Sequence, residues 1–226
     1  LTARSPAGLL RGLQGLLARL YDAPAVHDVH DFLVTDAACA ARLAGQAQPP
    51  ATDEQLLMAE GADGLELSLY VDAEVLRRLD ACCPMRALDE RNLADYCTAL
   101  EGVSHFHYVV WNTDRTREIS LLELELQAEV DKYASALALL LDQRDGRFPQ
   151  ELFNRLFEGV RFLPQLASAE RARYEEAHRC AARFCRRLEE RFLRRRHARP
   201  EALLSELRRF YRLGSRSKLH HAVQWS

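Results

Sequence analysis

The sequence predicts an α+β fold, predominantly helical, on three observations. Apolar residues recur at helical spacing over most of the chain, and two short segments carry strand patterns instead. From Pro149 onward every periodic segment is helical, with Pro149 and Pro200 placed as first-turn prolines and Pro164 as a break. The expected arrangement is a small sheet packed on a long helix, followed by a helical C-terminal region. With 226 residues, 48% of them hydrophobic and 28% charged, the chain has the composition of a folded protein that buries a core.

The elements follow in order. Residues 1–22 read as an amphipathic helix, because Arg11 and Arg19 interrupt the apolar run at helical spacing. The stretch from Ala25 to Gln46 continues as a short helical segment, with Asp36 as cap of an Ala-rich turn. Gln46 to Ala51 is a loop. Thr52 and Gln55 form a capping-box pattern for a short helix ending at Gly61, and the residues after it form a turn. Leu65, Leu67, Leu69 and Val71 alternate with Glu66, Ser68 and Tyr70, the period of a half-buried strand. Asp72 caps a helix carrying Val75, Leu76 and Leu79; Asp89 caps another that stops near Gly102. Residues 104–112, SHFHYVVWN, are rich in aromatic and β-branched side chains and read as the second strand. Ser120 and Glu123 form a capping box before a long helix over 121–142, whose apolar stripe includes Leu126, Val130, Tyr133 and Leu137. A long helix over 165–196 and a final helix ending at Gly214 complete the chain, with Ser217 capping a short turn through Trp225.

No apolar run approaches the roughly eighteen residues a spanning helix needs. The first helix is not followed by a cleavage pattern, which points to the cytoplasm. Six cysteines, none in a CxxC pair, then read as reduced thiols and small buried hydrophobes rather than a disulfide framework or a zinc site.

The near-neutral balance conceals an asymmetry. Residues 1–142 hold 11 Lys and Arg against 23 Asp and Glu, a net of −12; residues 143–226 hold 20 against 10, a net of +10, and the two sum to the whole-chain −2. The organisation read from this is an acidic α+β core over 1–146 and a basic helical region over 147–226, packed on the core as one structural unit. All but one of the 20 basic residues are arginines, the exception being Lys218, and guanidinium groups suit bidentate contact with carboxylate or phosphate.

The sequence therefore points to a binding or regulatory protein, not an enzyme, that engages an acidic protein surface or nucleic acid. The residues that would carry this are Arg179, Arg183, Arg186, Arg187, Arg194, Arg195, Arg208, Arg209 and Arg212, interleaved with Phe184, Phe192, Phe210 and Tyr211. Two alternatives stand beside it. One is a metal-dependent enzyme in which His105 and His107, two residues apart on a strand, face Glu125 and Glu129, four apart on a helix. The other is a homodimer in which the acidic part of one chain docks on the basic end of another. His27, Asp28, His30 and Asp31 superficially suggest a metal phosphohydrolase, but a helix-start cluster explains them as well. Walker, GxGxxG and GxSxG signatures are absent, and no cofactor is indicated.

Overall fold

The computed structural model describes residues 6–61, 64–113, 115, 117–159, 168–194 and 200–224. Helix makes up 66% of it, with one three-stranded mixed sheet, so the fold is α+β and mostly helical. No helix among the described residues is long and apolar enough to cross a membrane. The chain divides into two compact units, Leu1–Leu16 with Ala25–Trp111, and Leu17–Pro24 with Asn112–Ser226.

The first unit contains most of α1 (Pro6–Tyr21), a 3-10 turn over Val29–Phe32, β1 (Leu33–Val34), α2 (Ala37–Leu43), β2 (Glu54–Gly61), β3 (Gly64–Val71), α3 (Ala73–Ala81) and most of α4 (Leu93–Thr113). The strands lie in the order β1-β3-β2, with β1 parallel to β3 and β2 antiparallel to it from Glu54↔Val71 to Gly61↔Gly64. Alternation along β3 sends neighbours to opposite faces. Tyr70 joins Leu57 and Ala40 in a cluster beneath α2, while Leu69 lies against α4. There Gly102 permits a close approach, since a Cβ at that position would stand 2.8 Å from Leu69 Cδ1. Asp36 and Asp72 cap α2 and α3 as the sequence predicts. Buried Asn92 ties the entry to α4, donating to the carbonyls of Cys82 and Ala87 and accepting from the amide of Asp89.

Three segments differ from expectation, and the make-up of the sheet changes with them: Leu33–Val34, within a stretch expected to be helical, form β1 by pairing with β3. Residues 104–112 are not a strand but the second half of α4, which runs past Gly102 without a break. Every residue from Gly102 to Asn112 is buried, and an apolar run buried all round loses the period that separates a helix from an interior strand. Residues 54–61 are not a helix but β2, because eight residues of pairing with β3 override the helix-favouring composition EQLLMAE. Thr52 accordingly donates to the Glu54 carbonyl rather than capping a helix. The sheet therefore consists of β1, β2 and β3, and within its unit it packs on α4. The predicted turn at 62–63 lies outside the described residues.

The second unit is helical: α5 (Leu121–Gln143), α6 (Leu152–Phe157), α7 (Ser168–Leu188) continuing into a π-helical turn over Glu189–Leu193, α8 (Pro200–Arg212) and α9 (Ser215–Gln224). Ser120 caps α5 by accepting from the Glu123 amide, and Pro200 opens α8, both as predicted. The Leu-Glu alternation at the start of α5 is helical. The predicted break at Pro164 and the end of the last turn at Trp225 fall outside the described residues. The core gathers Tyr133, Leu137, Ala177, Phe184, Leu188, Leu207 and Phe210, and the Phe184 and Phe210 rings stack with centroids 4.1 Å apart. Each large apolar side chain so buried is worth about 1.5–3 kcal/mol.

Candidate functional site

The arginines named from the sequence divide by what they do in the second unit. Arg187 donates to the carbonyls of Ala222 and Val223, closing the end of α9, and Arg208 donates to the carbonyls of Arg19 and Leu20. Arg194 holds the fully buried Glu189 carboxylate through Nε and NH2 at 3.0 and 2.8 Å, and Arg212 reaches the Asp22 carbonyl. Arg186 lies 3.7 Å above the Phe153 ring and near Glu158. Arg179 pairs with Glu176, which raises the already high pKa of its guanidinium. Arg183 and Arg209 are exposed and make no hydrogen bond or ion pair among the described residues. Arg195 lies outside the described residues. The interleaved aromatics are all buried: Phe184, Phe210 and Tyr211 completely, Phe192 to 8% exposure. None of these four rings is presented for stacking.

A polar stripe runs along α5 in the interior of the second unit. Glu123, Gln127, Asp131 and Ser135 recur every fourth residue and are at most 1% exposed. Leaving such groups unpaired in the interior is costly, so each has partners. Arg117 bonds both Glu123 and Asn112 Oδ1. Gln127 Nε2 donates to Asp131 Oδ1 at 2.6 Å, the Tyr21 hydroxyl donates to the same oxygen, and Ser135 Oγ donates to the Asp131 carbonyl. Burial and the Asp131 carboxylate together push the Tyr21 hydroxyl well above its usual range.

Lys218 completes this network. It belongs to the basic end by sequence, yet it is fully buried, with Nζ 2.5 Å from Gln127 Oε1, 3.4 Å from the Tyr211 carbonyl and 5.0 Å from the Phe210 ring centre. Burial pushes its amine well below the usual lysine range, an effect that Asp131 opposes and Arg117 reinforces. Nothing local in the sequence marks this lysine as buried, because its partner on α5 lies 91 residues away.

Two further clusters lie on α5. Glu129 accepts from Lys132 and from His178 Nδ1 at 2.9 Å, while His178 Nε2 stands 3.3 Å from the Phe157 carbonyl. Burial acts to raise the Glu129 pKa, but the two cations outweigh it and bring the carboxyl down to about 2. Burial lowers the His178 pKa, and Glu129 outweighs that to raise it. Tyr133 donates to Glu189 Oε1 at 2.9 Å, and Glu189 follows Ala181 and Cys185 at four-residue spacing on the buried face of α7.

The strand assumed to set His105 and His107 on one side is not present. His105 and His107 lie on α4, where two residues subtend about 200° and the side chains leave on opposite sides. Glu125 and Glu129 share a face of α5 in the second unit, but Glu129 is engaged by Lys132 and His178, and Glu125 lies 3.9 Å from Arg173. In the His27–Asp31 cluster, Asp28 caps the 3-10 turn by accepting from the His30 amide and pairs with Arg11. Those are the roles of a helix-start cluster.

Comparison of the chain with protein-family models, curated proteins and solved structures finds no match.

Proposed function

We propose that this chain is a non-enzymatic binding protein that engages an acidic protein partner through exposed arginines of α7 and α8, with Arg183 and Arg209 as the primary contacts. The observation that carries the reading is their state: they are exposed and uncommitted, whereas Arg187, Arg194 and Arg208 are consumed by the fold. The C-terminal half of α7, residues 179–188, holds four arginines and no acid, so Arg183 sits among cations with Glu176 as its nearby acidic group. A protein partner is favoured over nucleic acid because the four rings interleaved with the arginines are buried, leaving phosphate contact without base stacking. Glu175, Glu190 and Glu201 also lie exposed among the cations, a mixed pattern that complements a mixed protein surface better than a uniform polyanion.

The test is binding of the purified chain to poly-L-glutamate and to a mixed-sequence single-stranded RNA across a salt series, with Arg183→Glu/Arg209→Glu as the comparison. Binding to the acidic polypeptide that weakens with salt and is lost in the double variant supports the reading. Binding that survives the double reversal overturns it, and a clear preference for RNA moves the partner to nucleic acid. Arg186 and Arg194 are unsuited to this test, since their reversal also removes contacts to Phe153 and Glu189.

A further inference from the structure

The second unit contains a helix whose attachment is mostly polar. Of the ten residues of α9 only Lys218 and Ala222 are buried, while its larger apolar residues Leu219 and Val223 are half-buried. Its tethers are the Lys218 contacts to Gln127 and Tyr211, a 2.5 Å contact between His221 Nε2 and Glu206 Oε1, the bonds from Arg187 to its last carbonyls, and a 2.8 Å contact between Ser215 and Ser120. Each can be exchanged for water at a net cost of only about 0.5–1.5 kcal/mol, more where a charge is involved. Release also returns the Lys218 amine, held by burial below its ordinary range, to a solvent in which it is fully charged. Gly214 precedes the helix and supplies a flexible joint.

What α9 covers has the make-up of a recognition groove. Its floor is the stacked Phe184 and Phe210 pair, with the His221 ring 6.0 and 6.2 Å from their centres. At one end Gln127, itself bonded to Asp131, and the Tyr211 carbonyl receive an amine; beside it Glu206 receives an imidazole; at the far end the Arg187 guanidinium receives helix-terminal carbonyls. These groups read a lysine, a basic residue three positions on, a small residue four positions on and then a helix end.

We propose that α9 is the resident occupant of a helix-binding groove formed by α5, α7 and α8, and that the groove accepts in its place a short partner helix with a Lys-x-x-His-Ala pattern. This is helix-in-groove recognition held in check by an intramolecular competitor, and it weakens apparent affinity by the fraction of time the groove is open. It involves neither Arg183 nor Arg209 and is independent of the acidic-partner reading.

The probe is a fluorescein-labelled peptide LGSRSKLHHAVQ, residues 213–224, titrated into the wild-type chain, beside a control peptide with alanine at the Lys218 position. Saturable binding is expected, with the control at least about tenfold weaker, as loss of one buried amine with its two hydrogen bonds requires. Hydrogen exchange on the same wild-type sample is expected to show faster exchange in residues 215–224 when the peptide is bound and no change in 121–143. A Ser120→Cys/Ser215→Cys staple, facing at the Ser120–Ser215 contact, is expected to block binding when oxidised and restore it when reduced. No binding up to about 1 mM peptide, equal binding of both peptides, or unchanged exchange in 215–224 overturns the proposal. The wild-type measurements decide it even where the stapled variant fails to fold.

Discussion

Replacing His178 with glutamine isolates one buried charge and predicts a pH-dependent loss of stability. Both ring nitrogens face acceptors, Nδ1 the Glu129 carboxylate at 2.9 Å and Nε2 the Phe157 carbonyl at 3.3 Å, so both carry protons only in the imidazolium form. The charged bond to Glu129 is worth about 1.5–3 kcal/mol and the longer one to the carbonyl at most about 1 kcal/mol. Glutamine keeps a neutral donor to Glu129, so the expected cost is about 1–3 kcal/mol where the histidine is protonated. The folded-state pKa of His178 is raised above 6.5, so its contribution is complete below 6.5 and is lost as pH rises through the folded value. Glu129, brought down from 4.5 to about 2, contributes fully above 4.5 and loses that contribution as pH falls toward 2. The wild-type advantage over His178→Gln is therefore largest between 4.5 and 6.5 and shrinks in alkali. Urea unfolding of both proteins at about pH 6 and about pH 9 measures it, a tenfold difference in proton affinity between folded and unfolded chain corresponding to about 1.4 kcal/mol. A stability difference that is the same at both pH values refutes the imidazolium assignment.

Asp131→Ala leaves Tyr21 and Gln127 without their shared acceptor in the interior and removes the carboxylate near Lys218, and is expected to cost about 3–5 kcal/mol in urea unfolding. Arg183→Ala, at an exposed uncommitted side chain, should change stability by less than about 0.5 kcal/mol in the same assay. Gly102→Ala gains about 1 kcal/mol of helix propensity but forces a methyl to within 2.8 Å of the buried Leu69 side chain. Overpacking of about 1–3 kcal/mol is expected to win, and a raised melting temperature would show that the sheet yields instead. Burial pushes the Cys185 thiol well up and the Cys180 thiol to about 11, so neither should react with iodoacetamide in the native protein at neutral pH. Peptide mass mapping should find both unlabelled while labelling is detected among the partly exposed Cys39, Cys82, Cys83 and Cys97.

Much of the helical scaffold was legible locally. Ser120, Asp36 and Asp72 cap the helices they precede because a short side-chain oxygen meets an amide two or three residues on, a contact determined within one turn. The alternation of residues 65–71 disclosed β3 because that segment keeps the period of a strand. The two longer misread segments failed for opposite reasons. In 104–112 burial on every side erased the period, and in 54–61 a good helix composition yielded to a strand partner that lies beyond the local sequence.

The candidate sites were legible as residue types and not as roles. The sequence by itself determined that the chain is rich in helix, that its charge is divided between an acidic first part and an arginine-rich last part, and that Asp36, Asp72 and Ser120 cap the helices they precede. Only the tertiary structure decided which charges are exposed. It spent Arg187, Arg194 and Arg208 on carbonyls and a buried carboxylate, left Arg183 and Arg209 in solvent, and drew Lys218 into the interior to meet Gln127. The physical reason is that a charge's environment is set by what packs over it, and Gln127 and Tyr133, which meet Lys218 and Glu189 from α5, lie 91 and 56 residues away in the chain.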